Sequence, residues 1–166
     1  MGIFDKREKM DFDKASGVMF VLSITLQDQG MMIKGNLNVS HDHLIAVNTG
    51  YVLGISLLFI SSQIGLKRVN EFIRSSLDNA NETLTLEMKP LIPFIKKYCE
   101  NAKNFILMES FDLNSSLLFD ELTELYLNDM FGDNEYSSEI YNLAKNDLLF
   151  YYRETKEFVT NIKITS

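Results

Sequence analysis

No tryptophan occurs among the 166 residues, and only one cysteine, two prolines and two histidines do. Each shortage removes a class of protein. One cysteine excludes an intramolecular disulfide framework and fits a reducing compartment such as the cytoplasm. Two prolines and eight glycines exclude a collagen-like or linker-rich chain. With two histidines, any histidine-based metal or catalytic site must use His41 and His43. Aromatic packing falls to twelve phenylalanines and seven tyrosines, within a hydrophobic content of 46% that is ample for one core.

Charge is also missing from one long stretch. Residues 44–66 (LIAVNTGYVLGISLLFISSQIGL) contain no charged side chain. As a helix the stretch is about 34 Å long, close to the thickness of a bilayer core. It is either the central buried helix of a globular domain or a membrane span. Lys67 and Arg68 follow as a positive flank, as after a span. Asn48, Gln63 and several serines lie within it, and a buried helix tolerates these better. Projected at helical period, Gly50, Gly54, Ser61 and Gly65 cluster with Val47 as a shallow groove, where a second backbone can approach closely. Thr49, Ser56 and Gln63 form a mild polar stripe. The long apolar faces elsewhere in the chain need a cover, and that favours the buried helix.

The net charge of −7 is unevenly placed. Residues 1–80 carry eight acids and eight bases, whereas residues 81–166 carry fifteen acids and eight bases. Within residues 109–147 ten acids face a single lysine, Lys145. A surface of that sign repels phosphate backbones, so nucleic-acid binding is not expected. It attracts a basic protein, or simply keeps the domain soluble.

Periodicity predicts a single α+β domain over residues 1–166, predominantly helical, with an all-α bundle as the alternative. Residues 1–15 read as a charged arm. Over residues 18–39, apolar and polar residues alternate in Leu22–Gln27 and again in Ile33–Val39, around Gly30; this predicts an antiparallel β-hairpin. Ser40 then caps the long helix, whose pattern continues past Leu66 as an amphipathic stripe through Leu77. Thr83–Met88 alternates like a third strand. Three further helices follow: one opened by Pro90 and Pro93, one over residues 116–131 closed by Gly132, and one capped by Ser137 or Ser138. Residues 158–165 read as a final strand.

No chemistry-bearing motif survives inspection. His41 and His43 diverge on a helical first turn, and Cys99 is the only thiol that could join them in a metal site. His41-Asp42 resembles the dyad of HD-type phosphohydrolases, but the further upstream histidine is absent. Cys99 lies on the apolar face of its helix, as a core residue does. Residues 129–140 fail the calcium-loop pattern, with Asn134 at the sixth position and Ile140 at the twelfth. The glycines match neither phosphate-binding spacing. No cofactor, metal or catalytic residue is therefore nominated.

The expectation is a non-enzymatic, cytoplasmic protein-binding module, such as a small inhibitor, immunity protein or chaperone. It would dock a basic partner through Asp120, Glu121, Glu124, Asp129, Asp133, Glu135 and Glu139. The alternative is a single-span protein with residues 44–66 in the bilayer; self-association is compatible with either.

Overall fold

A computed structural model describes residues 7–30, 39–108, 116–132 and 135–165. Its described elements run β1 (Glu8–Asp11), α1 (Phe12–Gly30), α2 (His41–Ile64), α3 (Val69–Thr83), α4 (Ile92–Met108), α5 (Ser116–Phe131), α6 (Ser138–Asn161) and β2 (Ile162–Thr165). The fold is predominantly helical. Helix α2 packs against each of the other five described helices, most extensively against α4.

The expected hairpin is not there. Leu22–Gln27 belongs to α1, and residues 31–38, which hold most of the second alternating run, lie outside the described residues. Burial explains the error. Phe12, Ala15, Ser16, Met19, Phe20, Ser23, Leu26 and Gln27 are buried at helical spacing, while the apolar Val21 is 57% exposed. Polar Ser23 therefore belongs to the inner face, and it holds its place by donating to the Met19 carbonyl at 2.8 Å. Asp11 starts the helix by accepting from the Lys14 amide at 2.7 Å. Just before it, what read as a charged arm contains β1.

In α2 the expected cap is present, with Ser40 Oγ accepting from the His43 amide at 3.3 Å. The helix does not continue past residue 66. Gly65 takes φ 79°, a left-handed value that ends α2, and a short 3-10 turn over Leu66–Arg68 leads into α3. Gly65 is thus a terminator rather than part of the groove. Gly50 and Gly54 do form one, and α4 fills it. A methyl on Gly50 would stand 2.8 Å from the Ile95 carbonyl oxygen and 2.9 Å from the Cys99 nitrogen. One on Gly54 would stand 2.6 Å from Ala102 Cβ.

The third strand is replaced by the end of α3 and a turn in which the Thr85 carbonyl accepts from the Met88 and Lys89 amides. The final strand exists only from Ile162, and its partner is β1, paired in parallel with Glu8 opposite Ile162. Gln63, from the polar stripe of α2, joins β2 to the bundle. Its amide donates to the Val159 and Ile162 carbonyls at 3.0 and 3.3 Å, and its oxygen accepts from the Ile164 amide at 3.0 Å. On α4 the expected inner face holds, except that Phe94 is 53% exposed.

Candidate docking face

Helices α5 and α6 carry the acidic residues and lie side by side. Gly132, at φ 64°, closes α5, with its amide donating to the Asn128 carbonyl at 2.8 Å. Ser137 then caps α6 by accepting from the Ile140 amide at 3.2 Å. These two residues turn the chain so that the first turn of α6 returns along α5.

The seven acidic candidates do not form one uniform surface. Asp120 is held from α6, accepting from the Tyr141 hydroxyl at 2.8 Å and from Lys145. The Lys145 ammonium, then the Tyr141 hydroxyl, keep its carboxyl below the usual range. Glu124 accepts from the Tyr136 hydroxyl, which pushes that phenol up to about 12. Burial, with help from Asp120, pushes Tyr141 up to about 12 as well. Glu121, Glu135 and Glu139 are exposed and make no hydrogen bond or ion pair with another described residue. The Tyr136 and Tyr141 bonds tie the start of α6 and the residue after Glu135 to α5. Asp133 lies outside the described residues.

Asp129 points inward rather than to the face. Its carboxylate accepts from the Tyr51 hydroxyl of α2 at 2.9 Å and from the Asn101 amide of α4 at 2.9 Å. Its carbonyl oxygen lies 3.0 Å from His43 Nε2, which must carry the proton there, leaving Nδ1 3.4 Å from the Tyr98 hydroxyl. Burial first, and Asp129 second, push the Tyr51 and Tyr98 phenols above their ordinary value. One acid thus ties three helices together, because a partly buried carboxylate gathers every donor within reach.

A second polar knot lies deeper. Asn48 Oδ1 accepts from the Tyr126 hydroxyl at 2.5 Å and the Tyr151 hydroxyl at 3.1 Å, while its Nδ2 donates to the Leu44 carbonyl at 2.9 Å. Burial raises both phenols well above their ordinary value, and the buried Asp147 raises them further. The first knot gathers tyrosine hydroxyls, an amide and His43 around the Asp129 residue, and the second sets two tyrosine hydroxyls on one amide; both join helices.

The remaining candidates fall on either side. His41 is exposed while His43 is engaged as described, so the pair does not converge. Cys99 is fully buried against α2, and burial pushes its thiol up to about 12. Among the described residues no three His, Cys, Asp or Glu side chains gather closely enough to hold a metal ion. The sequence reading named Asn48 only as a polar residue within the uncharged run and did not single out Asn101 or Asp147. Only Asn48, a polar amide inside an uncharged apolar run, gave a signal there. No protein-family model, no curated protein and no solved structure matches the chain.

Proposed function

We propose that the chain is a non-enzymatic protein-binding module that docks a basic partner through the outer surface of α5 and α6. One observation carries the reading: Glu121, Glu135 and Glu139 stand exposed and unengaged on two helices that bonds from Tyr136, Tyr141 and Lys145 tie together. Clustered exposed carboxylates steer an oppositely charged partner and select its orientation. Glu124 and Asp120 act as the frame of the face. Asp129 is removed from the docking set because its carboxylate is spent inside the bundle. An inhibitor, immunity protein or chaperone of a basic cytoplasmic protein fits this description.

The single-span alternative rests on α2, which is long and apolar enough to cross a membrane, with mean hydropathy 1.9. Against it, 78% of that apolar window is buried inside the fold, and Gly50 and Gly54 are closed against α4. Insertion would have to strip α2 of every helix around it.

Affinity capture at low and high ionic strength tests the docking reading, with immobilised wild type beside a Glu121→Gln/Glu135→Gln/Glu139→Gln variant. Basic proteins captured at low salt by the wild type should be lost at high salt and from the triple variant. Equal capture by the triple variant would overturn the proposal.

A further inference from the structure

We propose that two copies of this chain pair about a two-fold axis, with the opening turns of α4 in each copy seated against the acidic face of the other. The inference rests on the docking reading of α5 and α6 and names a second copy as the basic partner. Its apolar part is centred on Phe94. Helical spacing places Phe94 on the inner face of α4, yet it is 53% exposed. Pro90, in the short 3-10 turn that leads into α4, is exposed as well, and so are Pro93 and Lys97 within the helix. At spacings of three, four and seven the four residues share one side of the helix. Leu86, in the turn just before, is 84% exposed. Aromatic side chains of this kind anchor an interface when a partner removes them from water.

Charge decides the class of partner. Between Leu86 and Lys97 the chain carries Lys89, Lys96 and Lys97 against one acid, Glu87. None of the three lysines makes an ion pair with another described residue, and the Lys97 ammonium lies 5.0 Å over the Tyr98 ring. The next acid along α4, Glu100, is engaged by Lys103 at 2.8 Å. The segment is therefore positive on a chain of net charge −7, and it calls for an acidic partner.

The chain supplies such a surface at the same end of the molecule. The Tyr98 hydroxyl lies 3.4 Å from His43, His43 lies 3.0 Å from the Asp129 carbonyl oxygen, and Asn101 donates to the Asp129 carboxylate at 2.9 Å. These bonds set the last turn of α5 beside the second and third turns of α4. Tyr136 and Tyr141 tie the start of α6 to α5. The lysines of α4 and the carboxylates of Glu135 and Glu139 thus belong to one end of the bundle. A two-fold axis through that end brings each patch onto its opposite, and every favourable contact is made twice. Phe94 is then covered from both sides of the axis.

Sedimentation equilibrium of the full chain, at up to about 100 µM and at low and high ionic strength, makes the test. The wild type should dimerise at low salt and dissociate as salt rises. Phe94→Ser should weaken the dimer at least about tenfold. So should Lys96→Glu with Lys97→Glu, and so should Glu121→Lys with Glu135→Lys and Glu139→Lys. Every one of these positions is exposed, so circular dichroism should show native helicity in all variants. An equimolar mixture of the two charge-reversed variants should pair again, because both halves of the interface are then opposite in sign. A wild type that stays monomeric, a dimer indifferent to Phe94→Ser, or reversed variants that do not restore each other would each overturn the inference. Salt-sensitive capture of other basic proteins by a monomeric wild type would leave the docking reading standing, so the two fail separately.

Discussion

Gly50→Ala lowers the melting temperature by about 8 °C, although alanine is the better helix former. At an open position in a helix the substitution would stabilise by about 1 kcal/mol. Here the new methyl meets the backbone of α4 at 2.8 and 2.9 Å and Tyr98 Cβ at 2.7 Å. Backbone cannot rotate away as a side-chain tip can, so α2 and α4 must separate until ordinary contact is restored. Overpacking of this kind costs about 3 kcal/mol. The net loss of about 2 kcal/mol corresponds to several degrees in a domain of this size. Thermal denaturation followed by circular dichroism measures it. Gly54→Ala provides the control, because its nearest obstacle is the Ala102 methyl at 2.6 Å. Pairing it with Ala102→Gly should recover part of the loss, whereas a destabilisation unrelated to the groove would not respond to that partner.

A comparable loss is expected from Asn48→Ala. Asn48 is 1% exposed, and its oxygen is the acceptor for two buried tyrosine hydroxyls. Alanine removes the acceptor and leaves Tyr126 and Tyr151 with buried donors, at about 1–3 kcal/mol each before relaxation. The expected total is about 3 kcal/mol by denaturant unfolding, with little change in slope. The mechanism predicts its own rescue. In a background carrying Tyr126→Phe and Tyr151→Phe the donors are gone, and Asn48→Ala should then cost much less. Equal costs in the two backgrounds would show that the knot contributes nothing beyond packing.

How much of this was legible in the sequence depended on whether burial followed hydrophobicity. Along α2, α4 and α6 it did for most large apolar residues, with Asn48 and Asp147 buried and Phe94 exposed as exceptions, and the helices, the Ser40 and Ser137 caps, the Gly132 stop and the Gly50–Gly54 groove were readable. Along α1 it did not. Ser23 and Gln27 face inward and Val21 faces out, so the pattern imitated a strand. Gly65 ended α2 by adopting a backbone conformation that apolar periodicity does not register. The parallel pairing of β1 with β2 joins residues more than 150 positions apart, and four-residue strands leave too short a pattern to announce it. Within the candidate face, composition located the acids but could not distinguish Glu121, which stays outside, from Asp129, which Tyr51 and Asn101 draw inward. That distinction depends on donors arriving from other helices.

Helix α2 is the buried helix on which the other described helices pack. Native-state hydrogen exchange in detergent-free buffer tests this most directly. The amides of α2 from Leu44 to Ile60 should be the slowest in the chain and open only with global unfolding, while the outer turns of α3 and α6 exchange sooner. Rapid exchange along α2 while the other helices remain protected would show that α2 is not the core of the bundle.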